Sequence, residues 1–184
     1  MSLDIDTIYS NSDRSQTIDT CLDDIFNKYK CDWLQCINKV NSSRGSGGNK
    51  LRTYKLFKHS YKTEMYITNP TIPRRDRSAL AKFRCGVAPL KIETGRYQGL
   101  PPSERFCFNC CNTVEDEFHV LMSCRLYQKI RQDLFNKILL IDPEFATLNE
   151  HHKFEYIMSN DQIVKYNAKA CHDILIIRNN LLYS

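Results

Sequence analysis

Cys107-Phe-Asn-Cys110-Cys111-Asn-Thr-Val-Glu-Asp-Glu-Phe-His119-Val-Leu-Met-Ser-Cys124 is the stretch on which the reading of this chain turns. Cys107, Cys110, His119 and Cys124 stand in the order C-x2-C-x8-H-x4-C. Zinc takes four soft or borderline ligands at tetrahedral corners, and four protein ligands leave no corner for a reactive water. The spacing therefore predicts a structural zinc site and not a hydrolytic one. The tight Cys107–Cys110 turn supplies two sulfurs, a short helix delivers His119, and the exit from that helix returns Cys124. Cys111 is an alternative to Cys110, with three intervening residues in place of two; the shorter turn favours Cys110. Three thiolates and a divalent ion sum to −1, and Glu115-Asp116-Glu117 fall in the first turn of the intervening helix. Those acids suit a helix N-terminus but make a poor seat for phosphate, so the expected role of the metal turn is to pin the fold.

Around that turn lies a chain of 184 residues, room for one domain and a small satellite. Its 42% apolar and 26% charged residues exclude wholesale disorder. The nine cysteines are an odd number, and the first residues, Met-Ser-Leu-Asp-Ile-Asp, are acidic with no apolar run after them. That pattern argues against a secretory leader and for reduced thiols, some of them binding metal. The longest apolar runs, Ile138–Ile141 and Ile174–Ile177, are far short of a membrane span. Secretion and membrane insertion are not expected.

The net charge of +5 conceals a segregation. Residues 1–43 hold 4 Lys/Arg against 7 Asp, residues 44–106 hold 14 Lys/Arg against 4 acids, and residues 107–184 hold 8 against 10. All the excess positive charge lies in the middle third. Such concentration suits a phosphate-binding surface, because each neutralised phosphate releases condensed counterions; a solvated basic face would look the same.

Periodicity makes the chain mainly α-helical. After a disordered tail over residues 1–15, Ile18, Leu22, Ile25 or Phe26, Tyr29, Trp33, Ile37 and Val40 recur at helical steps, with Cys21 and Cys36 flanking them as core residues. Asn41-Ser-Ser-Arg-Gly-Ser-Gly-Gly-Asn49 is a flexible connection. From Lys50, Leu51, Tyr54, Phe57 and Tyr61 form one stripe and Arg52, Lys55, Lys58 and Lys62 a cationic stripe beside it. Pro70 and Pro73 end that region. A short helix over Arg74–Arg84 follows, capped by Asp76, with Ala79, Leu80 and Phe83 inward and Arg77 and Arg84 sharing the outer face near Arg74. Residues 86–102 read as an irregular basic connector carrying Lys91, Arg96 and Tyr97. Further helices are expected over Val114–Met122, Leu126–Leu140 and Lys153–Met158, with a last one from Asp161 that packs Ile163, Tyr166, Ala170, Ile174, Ile177 and Leu181. His151, His152 and His172 have no ligand partner at metal spacing and read as ordinary helix residues. The domain plan is thus a tail to residue 15, a helical basic region over 16–106, and a CCHC zinc knuckle with C-terminal helices over 107–184.

Lys50-Leu-Arg-Thr-Tyr-Lys-Leu-Phe-Lys58, Arg77-Ser-Ala-Leu-Ala-Lys-Phe-Arg84 and Leu90-Lys-Ile-Glu-Thr-Gly-Arg-Tyr97 resemble the region after the polymerase in non-LTR (LINE-like) retrotransposon reverse transcriptases. Cys107-Phe-Asn-Cys110, Val114-Glu-Asp-Glu-Phe-His119 and Cys124-Arg-Leu-Tyr127 are similar to that family's C-terminal zinc knuckle. The resemblance spans roughly residues 30–135. Family members often have Cys-Pro where this chain has Cys124-Arg125. The resemblance implies gripping of element RNA and target DNA during target-primed reverse transcription, with Cys107, Cys110, His119 and Cys124 as zinc ligands. The family's proteins are RNA-directed DNA polymerases, yet this chain has no Tyr-x-Asp-Asp signature. It also lacks a Pro-Asp plus acid-x-Lys nuclease set beyond the knuckle.

The sequence thus predicts a zinc-stabilised, mainly α nucleic-acid-binding module without enzyme activity. Arg74, Arg75, Arg77, Lys82 and Arg84 are the first contacts expected with RNA or DNA, and Arg52, Lys55, Lys58 and Arg96 the next. Tyr97 is a candidate for stacking on a base, or a local packing plug. A reverse transcriptase polypeptide is a further expected partner, and Arg74-Arg75-Asp-Arg77 hints at nuclear localisation or shuttling. The alternative is a zinc-containing helical scaffold for protein–protein interaction, or an element fragment with no selected role.

Overall fold

The computed structural model describes residues 11–38, 51, 53–58 and 60–183. The chain divides into two compact units, residues 1–40 and 41–184. Residues 41–106 of the expected basic region lie in one unit with the metal turn, and residues 16–40 lie in the other. The expected flexible connection over 41–49 and the contact residue Arg52 lie outside the described residues, as does the tail before residue 11.

Within the first unit, α1 (Asn11–Asn38) is a single long helix. It takes in residues 11–15, which the sequence places in the tail. Its apolar stripe is present but uncovered among the described residues: Ile18, Leu22, Ile25 and Tyr29 are all at least half exposed. Cys21 and Cys36 are exposed as well, which corrects their reading as core residues.

The second unit runs through α2 (Tyr54–Phe57), α3 (Met65–Thr68), α4 (Arg74–Arg84), α5 (Lys91–Thr94), α6 (Gln128–Leu139), α7 (Glu150–Ser159) and α8 (Val164–Tyr183). Among the described residues there is one isolated antiparallel bridge, Phe106 with Val114. Helix α8 is the axis. Helix α4 makes its most extensive pairing with it, and α6 and α7 also pack on it. That crowding buries two faces of α8: Val164, Ala168, Cys171 and Leu175 beside the expected Ile163, Ala170 and Ile174. Asn167, fully buried between them, donates from Nδ2 to the Ile157 carbonyl at 2.7 Å and so ties α8 to α7. Among the described residues no helix is long and apolar enough to cross a membrane.

Several expected elements change under this packing. The helix from Lys50 is one turn only, since Lys58 is extended (φ −90°, ψ 99°), so the cationic stripe does not continue along one face. Pro73, not Asp76, precedes the first residue of α4, and Asp76 lies inside the first turn, buried, 3.3 Å from Nδ1 of His172 on α8. The connector is ordered: α5 leads into a tight turn over Gly95–Gln98, with Gly99 in the left-handed region at φ 71°. Arg105 fastens it, donating from Nε and Nη2 to the Leu100 carbonyl (2.9 and 2.7 Å) and from Nη1 to the Ile92 carbonyl (2.5 Å).

A buried long-range tie joins Glu115 to Arg178 of α8. Arg178 donates from Nε and Nη2 to the two carboxylate oxygens at 3.0 and 2.8 Å, and Glu115 is fully buried. Removing one partner of a buried pair strands the other charge away from water. Arg178→Ala should therefore destabilise the unit by about 3–5 kcal/mol in urea unfolding, and replacing both residues with leucine should restore part of that. A loss under about 1 kcal/mol for the single variant would refute the coupling.

Candidate metal centre

Sequence-local hydrogen bonds build the site. The Cys107 amide donates to the Thr113 carbonyl (2.8 Å), beside the Phe106–Val114 bridge, which closes a loop over the first two cysteines. Inside it the Cys111 amide donates to the Cys107 carbonyl (2.7 Å) and the Asn112 amide to the Cys110 carbonyl (2.8 Å). Cys111 takes φ 60°, the left-handed conformation that reverses the chain here. The second half is one widened turn over His119–Ser123, where the Cys124 amide donates to the His119 carbonyl (2.8 Å). A ligand pair five residues apart is thereby held by its own backbone. The expected Val114–Met122 helix begins only at Glu117 and widens from His119, because Val114 is engaged in the bridge.

Cys107, Cys110, His119 and Cys124 offer ligand atoms that all lie within 4.8 Å of one another. The Cys124 sulfur is 3.9 Å from that of Cys107 and 3.8 Å from that of Cys110. A tetrahedral ion with metal–sulfur bonds of about 2.3 Å requires sulfurs about 3.8 Å apart. His119 points the same way. Its Nδ1 lies 3.1 Å from the Ser123 hydroxyl, which donates in turn to the His119 carbonyl at 3.4 Å. That leaves Nε2 buried without a hydrogen-bond partner, a cost that a bound cation would remove. Cys111 is exposed, with its sulfur directed to the Phe108 carbonyl (3.6 Å), and stands outside the group. The four residues can therefore hold a metal ion.

The electrostatics suit a cation. Burial pushes the Cys107 and Cys124 thiols up, Cys124 to about 12. Burial acts on Cys110 too, but hydrogen bonds from the Arg125 backbone, the Asn109 side chain and the neighbouring thiols outweigh it and hold that thiol below its ordinary value. Burial also holds the His119 imidazole below its usual value, against the opposing pull of Asp116 and Glu115, so it meets a metal as the neutral base.

The expected nucleic-acid contacts divide into two groups. Arg74, Arg75 and Lys82 of α4 and Lys55 are exposed. Arg84 and Lys58 are not, which corrects their assignment to an outer face. Arg84 is buried, pairs with Glu64 at 2.6 Å, and lies over the rings of Tyr66 and Phe57. Lys58 pairs with the other oxygen of Glu64 and donates to the Lys62 carbonyl at 2.7 Å. Glu64 draws both cations inward, where a phosphate cannot reach them. Arg77 is half-buried and donates to the Ile67 carbonyl. Arg96 pairs with Glu93 at 2.7 Å and lies over the exposed Tyr97 ring, so Tyr97 is not a packing plug within a core. No local pattern in the chain marks Glu64 as an organiser, or Ser123 as the residue behind His119.

Glu115 and Glu117 are also displaced from their expected role: both are buried, and neither faces out from the metal turn. Compared with known proteins, the chain matches no family model, no curated protein and no solved structure.

The purified chain should bind one divalent ion with release of protons from Cys107 and Cys124, because burial keeps those thiols protonated near neutral pH without a cation. Apparent affinity should therefore fall as pH is lowered, and a flat affinity from pH 8 to 6 would contradict the site. Cys110→Ser should abolish binding, Cys111→Ser should not, and Ser123→Ala should weaken it about 10- to 100-fold.

Proposed function

We propose that the metal is zinc and that residues 41–184 form a zinc-stabilised module that grips RNA or DNA through phosphate contacts. Three sulfurs and one imidazole are a soft donor set that suits zinc, and four protein ligands leave no corner for catalysis, so the ion is structural.

The observation that carries the nucleic-acid reading is the outer side of α4. Arg74, Arg75 and Lys82 are exposed there, and the one acid of the helix, Asp76, is buried against His172 with Arg75 Nε 3.6 Å away. Arg75 and Lys82 are seven residues apart and share a face. Exposed cations with no exposed acid beside them on the helix supply the sequence-independent attraction that phosphate binding needs. Lys55 is a further exposed cation for the same polyanion. The motif series Lys50–Lys58, Arg77–Arg84, Leu90–Tyr97 and Cys107–Cys124 supports a role like that of the segment after the polymerase in non-LTR retrotransposon reverse transcriptases. In this reading the chain acts beside a reverse transcriptase polypeptide, without catalysis of its own, and works where target DNA is, in the nucleus.

A second reading, a scaffold for protein partners, draws on a different observation: the exposed apolar residues Ile18, Leu22, Ile25 and Tyr29 of α1.

Charge reversal separates the two. Arg74→Glu, Arg75→Glu and Lys82→Glu together should abolish binding to a labelled oligonucleotide with zinc content and helicity unchanged. The wild-type log–log salt slope should be near −0.9 per phosphate neutralised on duplex DNA. Salt-independent binding, or full affinity in the triple variant, would overturn the phosphate reading. Arg84→Glu should instead unfold the unit, since it sets a buried acid against the partly buried Glu64.

A further inference from the structure

Helix α1 carries an apolar stripe that nothing covers among the described residues. Ile18, Leu22, Ile25 and Tyr29 each keep between 52% and 60% of their surface exposed, on one unbroken helix of 28 residues. A lone amphipathic helix gains little from propensity; its stability in water comes from packing that face against a second layer. We infer that this layer is a second copy of α1, laid antiparallel on the first with Ile25 at the crossing.

Charge decides both the partner and its direction. Over residues 16–36, Asp19, Asp23 and Asp24 make the N-terminal half acidic with no base, while Lys28 and Lys30 outnumber Asp32 in the C-terminal half. At about 100° per residue, Asp19, Asp23 and Lys30 flank the stripe on one side, and Asp24, Lys28 and Asp32 on the other. Antiparallel helices bring each flank against the same flank of the copy, with the residue order reversed. A crossing at Ile25 then sets Leu22 of one copy against Tyr29 of the other. It also sets Asp19 near Lys30 and Asp24 near Lys28, each pair formed twice, while Asp32 falls level with Ile18 and meets no acid. A parallel pair would put the two acidic halves side by side, where like charges repel. A uniformly acidic or basic partner would match one half only, whereas the reversed copy matches both. The pairing is two-fold and therefore closes: both copies use the same patch, and none is left over. It stands apart from the nucleic-acid reading, and gives the assembly two α4 surfaces.

The test is the mass of the full chain, with one equivalent of zinc, by light scattering at about 100 μM. Twice the monomer mass is expected. Leu22→Asp and, independently, Ile25→Asp should return the monomer mass with zinc content unchanged. In a dilution series, Lys28→Glu with Lys30→Glu should weaken pairing about tenfold, as should Asp19→Lys with Asp24→Lys, and mixing the two variants should restore it. Cys36 is exposed and lies on the stripe, so a short bismaleimide reports direction. In the antiparallel pair the two copies of Cys36 stand about 33 Å apart and should not be joined. The Arg74→Glu, Arg75→Glu, Lys82→Glu variant should stay dimeric, which separates loss of pairing from loss of oligonucleotide binding. A wild-type monomer, a mass above the dimer, or a dimer that survives both aspartate variants overturns the pairing. A Cys36–Cys36 crosslink within the dimer overturns its direction.

Discussion

One buried carboxylate organises the second unit. Glu115 receives two donors from Arg178 and a third from the Lys91 backbone amide at 2.6 Å. Its own amide donates to the Arg105 carbonyl at 3.0 Å, and its carbonyl accepts from Ile92 at 3.0 Å. So a single residue between Cys107 and Cys124 joins the connector, α5, the metal turn and the C-terminal helix. The desolvation of a buried ion pair consumes most of its Coulomb attraction. The value of this one lies in geometry: a bidentate fork accepts only one relative placement of α8 and the metal turn.

The metal centre and the ion pair then support each other. Cys107 and Cys124 are buried thiols, and the imidazole between them in sequence keeps one nitrogen unpaired. Without a cation these groups stay neutral and are held only by the loop hydrogen bonds; with one they become a closed crosslink across eighteen residues. The surrounding core is ordinary close packing, with Leu80, Phe83, Ile138, Ile157 and Ile174 all inaccessible to solvent or nearly so. What such a crosslink would add is a rigid pose for segments that have little apolar surface of their own.

Much of this was legible in the residues. The metal-binding group was, because its ligands are close in sequence and a cysteine or histidine advertises its chemistry. The helical class was legible from spacing, and so was the α8 stripe as far as Ile174, although Leu181, expected to pack, is half exposed. Exposure of charge was not. Arg84 and Lys58 repeat at the same helical steps as Lys55, and nothing local distinguishes a buried arginine from a solvated one; only Glu64, 20 residues from Arg84, decides it. Glu115 and Arg178 are 63 residues apart, and Glu115 reads in sequence as one more acid near a helix start. The one-turn α2 was missed because periodicity reports which residues share a face, not where a backbone carbonyl finds its donor.

Gly95 shows how little slack the connector has. A methyl group at that position would sit 2.7 Å from Cγ and 3.0 Å from Cδ of Arg105. An arginine stem usually swings aside, but this one is tethered at both ends: its guanidinium is fastened to two carbonyls and its own carbonyl to Glu115. The missing side chain is thus a structural component in its own right. Even the smallest addition there would be transmitted through the arginine to the backbone that positions the metal ligands.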